Sequence, residues 1–234
     1  MNNVIIFKKI KFYNYSFDRI IKRLNKGGYL VAPAASALTN IDSNLEYYHS
    51  LIKSDIAILD SGFFCILLRV FKNKKVKKFS GYLFLKKFLD LKFEKKTKFF
   101  LIDPSKTEAF FNKDYLNKKN IFNINSYIAP IYDNKSFKDV KLLNKVKKSK
   151  PKYILVNLGG EIQERLALYL KENLKFKTSI ICTGAAIAFL TKRQAPINDF
   201  VDKYYLGWIF RIIFSPRKHF VRALKSIFLI KLFI

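Results

Sequence analysis

The amino-acid sequence predicts a layered α/β domain built on a mostly parallel sheet, and three observations carry that prediction. Short runs rich in β-branched residues alternate with longer amphipathic stretches, the pattern of strands separated by helices. Most of those short runs are continuously apolar, as strands covered on both faces require. The chain has 234 residues, 50% hydrophobic and 16% aromatic, which is enough to close a core and excludes disorder as a description of the whole.

Taken in order, a helical stretch over Phe17–Asn25 leads to the first expected strand, Tyr29–Ala34. Helix Asp42–Lys53 precedes strand Ile56–Leu59, and the apolar helix Phe63–Phe71 follows it. Helix Tyr82–Leu91 comes next, then strands Lys98–Ile102 and Ile121–Ile124. Helix Lys138–Lys147, strand Tyr153–Leu158, helix Gln163–Leu174 and strand Ser179–Cys182 complete a Rossmann-like succession. The lysine-rich pieces Lys72–Lys78 and Asn144–Pro151 read as exposed connections. After Pro196 the character changes: Asp202 is the last acidic residue, and Leu206 to Ile234 is almost wholly apolar and basic. The expected organisation is therefore an α/β domain over residues 1–196 and a basic amphipathic C-terminal helical appendage over 197–234.

Forty-five basic residues against 17 acidic ones give a net charge of +28, which calls for an anionic partner. Lysine greatly outnumbers arginine, and Lys, Asn, Ile and Phe recur throughout, as AT-rich coding produces; part of the charge is then drift on solvated faces. The arginines carry more information, because four of the eight (Arg193, Arg211, Arg217, Arg222) lie in the last 42 residues. Cys65 and Cys182 stand far apart in apolar runs, which excludes a disulfide framework and fits a reducing compartment. With His49 and His219 as the only histidines, a histidine-based metal centre is not expected, and all four residues are assigned to structure. The first residues are too basic for a signal peptide. No run reaches about 18 uncharged apolar residues, so a cytoplasmic chain without a spanning helix is expected.

Several motifs are absent. Neither G-x-G-x-x-G nor G-x-x-x-x-G-K-[ST] occurs, and no D-x-D pair is present to hold a divalent ion on a sugar diphosphate. A diphosphate bound here would be neutralised by side chains and helix N-termini.

The motifs that remain each carry two readings. Asp60 ends the run Ile56-Ala-Ile-Leu-Asp60, where open α/β sheets bind ligands; it could act as a general base or simply cap the next helix. In Asn157-Leu-Gly-Gly-Glu-Ile-Gln-Glu164, Gly159 and Gly160 would let a ligand approach a helix start closely, with Gln163 and Glu164 gripping a sugar or base. The bland alternative is an ordinary strand-to-helix turn. Lys78, just before Ser80-Gly81, is either a neighbour for a diphosphate or one solvated lysine among many. In the tail, Lys218, Arg222 and Lys225 lie at helical spacing opposite Phe220, Val221, Leu224, Ile227 and Phe228, the pattern of a helix lying in a membrane interface. Each cation near an anionic leaflet is worth about 1 kcal/mol, so Arg211, Arg217, Lys218, Arg222, Lys225 and Lys231 could together hold the protein there. A core helix with a basic rim is the alternative.

Together these residues resemble the WecG/TagA/CpsF glycosyltransferases (glycosyltransferase family 26). The resemblance rests on Asp60-Ser-Gly62, Lys78-Phe-Ser-Gly81, Leu158-Gly-Gly-Glu-Ile-Gln-Glu164 and Gly184-Ala-Ala-Ile-Ala-Phe-Leu190. It continues through Gln194-Ala-Pro196, Leu206-Gly-Trp-Ile-Phe-Arg211 and the run from Pro216 through Arg217 to Arg222. The order and spacing agree from about Tyr29 to Arg222. It implies an inverting transfer, without a metal site or other cofactor, of an N-acetylmannosamine-type sugar from a UDP-sugar donor to a polyprenyl-diphosphate-linked glycan acceptor. The reaction would belong to cell-envelope or surface-polysaccharide assembly. The protein would lie peripherally on the inner face of the plasma membrane, against an anionic surface, with a homo-oligomer possible. By position, Asp60 would deprotonate the acceptor hydroxyl and Lys78 would steady the departing diphosphate. Gly159, Gly160, Gln163, Glu164, Gly184 and Arg193 would contribute to substrate binding, and Arg211, Arg217 and Arg222 would hold the acceptor. The chain departs from the family pattern at Pro33-Ala34-Ala35, at Ile102-Asp-Pro-Ser-Lys106, and at Glu161, Gln194 and Gly207. Two other classes remain open on the residues: a basic nucleic-acid-binding protein, though no recognition motif supports specific binding, and a degenerate homologue that binds a sugar nucleotide without reacting.

Overall fold

The computed structural model describes residues 4–132, 137–184, 186–194, 213 and 216–234. One eight-stranded sheet runs through it in the order β1-β2-β4-β3-β8-β7-β5-β6. The strands are β1 Val4–Phe7, β2 Ile10–Tyr13, β3 Gly28–Val31, β4 Ile56–Ala57, β5 Phe99–Asp103, β6 Ile124–Ile128, β7 Tyr153–Val156 and β8 Ser179–Cys182. All neighbours pair in parallel except β1 with β2. The Rossmann-like α/β class is as the sequence predicts. Every residue of β5, β7 and β8 is buried, which is why those runs lack the alternation of a one-sided sheet.

Helices α1 Phe17–Leu24, α2 Ala35–Leu38, α3 Leu45–Ile52, α4 Gly62–Lys72 and α5 Gly81–Leu89 belong to the first half of the chain. The second half carries α6 Lys106–Lys118, α7 Val140–Ser149, α8 Ile162–Asn173, α9 Ala186–Leu190 and α10 Pro216–Ile227, with a 3-10 turn over Phe228–Leu232. Short polar side chains start most of the longer ones. Asn44, Ser61, Ser80, Ser105 and Asp139 each accept a hydrogen bond from the backbone N–H three residues on, satisfying donors that a helix start leaves unpaired.

Two apolar layers cover the sheet. One gathers Phe7, Phe12, Phe64, Leu166 and Leu170 with Leu229 and Phe233 from the chain's last residues. The other gathers Ile20, Phe84, Phe88, Phe99 and Tyr153. Phe233 stacks on Phe7 with ring centroids 4.6 Å apart and meets Phe71 at 5.8 Å. The tail therefore ends inside the same core as the α/β unit, and burying two such side chains contributes on the order of 1.5–3 kcal/mol each.

Several elements differ from the sequence expectation. The short helices α2 and α9 were not expected, and α7 continues to Ser149 through most of the stretch read as an exposed connection. β6 is Ile124–Ile128 and lies downstream of the expected Ile121–Ile124. The β1–β2 hairpin was not anticipated; its turn is Lys8-Lys9, both at positive φ, where Asn-Gly usually signals such a turn. Helix α6 occupies a stretch that gave no helical signal, since it buries only Asn112 and Leu116.

Candidate functional site

The carboxyl ends of β4, β3, β8 and β7 bring together most of the residues singled out above. Asp60 follows β4 and is half-buried. It does not cap α4; Ser61 does, accepting from Phe64 N at 3.2 Å. The Asp60 carboxylate reaches instead to the start of α5, where its Oδ1 accepts from Gly81 N at 2.7 Å. Lys78 comes alongside because the chain doubles back: Phe79 N donates to Leu59 O at 2.9 Å. Both charges act on the buried Cys65 thiol, whose pKa stands at about 12, raised chiefly by burial and further by Asp60, with Arg69 and Lys78 opposing the shift.

Gly81 is where α5 meets the sheet. A Cβ there would stand 3.2 Å from Ala32 Cβ and 3.3 Å from Thr183 Cβ, so a larger residue would press the helix start a few tenths of an ångström away from the ends of β3 and β8. Beyond Thr183, Gly184 turns at φ +59° and its N–H donates to Gln163 Oε1 at 2.8 Å. Gln163 Nε2 donates to Glu164 Oε1 at 2.9 Å, and Glu161 N donates to Glu164 Oε2 at 2.7 Å. Glu161, itself at φ +72°, accepts from Asn40 Nδ2 at 2.7 Å and Asn44 Nδ2 at 3.1 Å. One hydrogen-bonded chain thus links the loops after β8 and β7 to the loop between α2 and α3.

Gln163 and Glu164 are almost wholly buried, at 2% and 1% exposure. What they hold is protein: they set the shape of the Gly159–Glu161 and Gly184 loops. Burial pushes the Glu164 carboxyl up to about 7, against the backbone and Gln163 donors that favour its anion. Gly159 and Gly160 are exposed, with no atom within 4 Å of a Cβ placed at Gly159 and only Ala37 Cβ, at 3.6 Å, near one at Gly160. An open backbone stretch therefore faces the short helix α2. Helix α10 packs on that same α2, which puts the exposed Arg222 on an element bordering the site.

Arg193 is pinned elsewhere, its Nε 3.5 Å from Glu108 Oε1 and its guanidinium 4.6 Å from the Phe111 ring centre on α6. Arg211 lies outside the described residues, as does the side chain of Arg217 within α10.

Sequence reasoning missed a second strand-tip carboxylate. Asp103 ends β5, fully buried, and its Oδ1 accepts from Asn112 Nδ2 and Asn157 Nδ2, both at 2.7 Å. Asp103 Oδ2 and Asn112 Oδ1 are buried without a hydrogen-bond partner. Burial raises the Asp103 pKa, with the two amide bonds opposing. The signal was available: Phe99-Phe-Leu-Ile-Asp103 repeats the pattern of Ile56-Ala-Ile-Leu-Asp60.

Two grooves lie apart from this edge and contain none of the expected residues. One of about 460 Å³ runs between α3 and α8, beside Leu45, His49 and Tyr169; another of about 500 Å³ flanks β6 beside Lys141 and Lys145. Among the described residues no three His, Cys, Asp or Glu side chains converge to hold a metal ion, and no helix is long and apolar enough to cross a membrane.

A carboxylate and a lysine at a strand tip, an open glycine backbone and a basic helix alongside suit a phosphorylated substrate carrying a hydroxyl to be activated. The sequence model of the glycosyl transferase WecG/TagA/CpsF family matches residues 5–234. No curated protein matches the chain.

Proposed function

The chain belongs to the WecG/TagA/CpsF family of glycosyltransferases, and from that premise we propose the reaction. It is an inverting, metal-independent transfer of an N-acetylhexosamine-type sugar, N-acetylmannosamine-like, from a UDP-sugar to a polyprenyl-diphosphate-linked acceptor in cell-envelope polysaccharide assembly. The observation that carries this reading is the Asp60 carboxylate at the carboxyl end of β4, oriented by the Gly81 N–H.

In the proposed step the acceptor hydroxyl gives its proton to the Asp60 carboxylate as its oxygen bonds to the anomeric carbon. The bond from that carbon to the diphosphate oxygen breaks on the opposite face, and UDP leaves with the electron pair. Lys78 offsets the charge growing on the diphosphate; as a lysine it acts as a point charge without the two-pronged grip of an arginine. Gln163 and Glu164 serve as positioning residues that shape the glycine loops. Arg222, with Arg211 and Arg217, holds the lipid diphosphate, and the basic 197–234 segment rests on the anionic inner face of the membrane.

The test is a screen of UDP-N-acetylhexosamines with a detergent-solubilised polyprenyl-diphosphate-GlcNAc acceptor, read as UDP release and anomeric configuration of the product. Turnover with inversion is expected. Binding of a UDP-sugar without turnover identifies a degenerate homologue instead.

A further inference from the structure

The two longest stretches of this chain without an acidic residue are 61–89 and 203–234. They lie far apart in sequence, yet the structure joins them. The Phe233 ring meets Phe71 at 5.8 Å and Phe64 at 6.0 Å, so the end of the tail is fastened to α4. On the outer side of α4, Ile66, Val70 and Phe71 are 46%, 71% and 44% exposed. On α10 and the turn after it, Phe220, Val221, Leu224, Ile227 and Phe228 are exposed as well.

Cations frame the α4 stripe, and they are held there. Arg69 donates through Nε and a terminal nitrogen to Val76 O, at 3.2 and 2.6 Å. Asn14 brackets the same loop, donating to Lys75 O at 3.4 Å and accepting from Lys77 N at 3.2 Å. Exposed Lys72, Lys74, Lys75 and Lys77 are thus fixed at the C-terminal end of the apolar stripe. Apolar side chains rimmed by cations, with no carboxylate in either segment, complement a bilayer surface of anionic headgroups over acyl chains.

We infer that α4 and its lysine loop form a second membrane-docking element, which engages anionic phospholipid together with the C-terminal helix as one composite surface. The inference rests on the proposed membrane-bound acceptor and adds to it a part of the α/β unit itself. Asp60 is joined to α4 through Ser61 alone, so docking by α4 fixes the base relative to the bilayer from which a lipid-linked acceptor enters.

The experiment is co-sedimentation of the full chain with vesicles of phosphatidylglycerol in phosphatidylcholine, beside pure phosphatidylcholine vesicles. The double variant Ile66→Gln/Val70→Gln is compared with Val221→Gln/Leu224→Gln, and Lys74→Ala/Lys75→Ala serves as an independent α4 variant. Thermal unfolding and UDP-sugar calorimetry control for folding. Binding of the native chain to anionic vesicles, weakened about tenfold or more by the α4 variants with unfolding and donor binding unchanged, supports the composite surface. Native-like vesicle binding by both α4 variants, with loss only in the α10 variant, overturns the inference and leaves the membrane reading standing. Failure of the native chain to bind anionic vesicles overturns both. Unchanged vesicle binding with loss of a native oligomer in Ile66→Gln/Val70→Gln assigns the face to a second copy, and also overturns it.

Discussion

At the scale of single residues, two carboxylates in the same sequence grammar meet opposite fates. Asp60 and Asp103 each end an apolar strand, but Asp103 is sealed behind two asparagines while Asp60 stays half-buried at the start of α5. Asp60 has a structural bond as well as a proposed chemical role, and two substitutions separate them. Asp60→Asn keeps an oxygen for Gly81 N but cannot take a proton, so turnover should fall by about 10²–10⁴-fold with the melting temperature nearly unchanged. Asp60→Ala should lose the same activity and about 1 kcal/mol of stability besides. Full turnover in the asparagine variant removes the base from Asp60. Glu164 offers a test by pH. Its folded pKa is raised from 4.5 to about 7, so between those values the folded state holds a proton that the unfolded chain has released. Stability from this group is full below pH 4.5, falls as pH rises to about 7 and is level above it, a loss on the order of 3 kcal/mol. Urea titrations of the native chain and Glu164→Gln across that range should differ in slope. The variant should be the flatter of the two, and equal slopes would place the proton elsewhere.

At the scale of elements, what the sequence disclosed tracks how each element is stabilised. Strands buried on both faces announce themselves as apolar runs, so β5, β7 and β8 were legible, though their order in the sheet was not. The β1–β2 hairpin was not, because its turn uses Lys8 and Lys9 where glycine or asparagine would have marked it. Helix α6 was hidden because Ala109, Phe110 and Phe111 are adjacent in sequence and not spaced one helical turn apart, and Phe110 stays 69% exposed. For the candidate site, the positions of Asp60 after β4, of Lys78 before α5 and of the glycines in the β7–α8 turn were legible. The roles of Gln163 and Glu164 were not, since a polar pair at a helix start reads the same whether it faces a ligand or holds a neighbouring loop. Gly81 shows how one element's position feeds the chemistry. Gly81→Ala would push its Cβ against Ala32 and Thr183 at 3.2 and 3.3 Å, moving the start of α5 and with it the donor that orients Asp60. Turnover should drop by more than the small change in stability would suggest, by about 10-fold or more. Parallel kinetics and melting curves check this, and an unchanged rate would show that Asp60 does not depend on Gly81 for its orientation.

At the scale of the whole molecule, the excess charge and the apolar tail have to be read against how the chain closes. The sequence separates residues 197–234 by composition, and that boundary is a proposal about function. Physically, however, the chain's end returns to the first apolar layer, where Leu229 is wholly buried and Phe233 is 7% exposed against Phe7 and Phe64. Composition could not reveal this, because a phenylalanine destined for lipid and one destined for a core look alike in a run such as Phe228-Leu-Ile-Lys-Leu-Phe-Ile234. The consequence is a measurable coupling between the tail and the fold. Phe233→Ala removes a ring packed against three others and should cost about 3 kcal/mol in urea unfolding. Phe228→Ala, at a position 56% exposed, should change stability by less than about 0.5 kcal/mol. If the tail served the membrane alone, both changes would leave the soluble protein's stability untouched and differ only on vesicles. The expected split, with Phe233 felt in solution and Phe228 felt only at a bilayer, follows from a tail whose last ring is a core residue. It would then carry its basic helix at a set distance from α2 and the glycine loops that α2 faces.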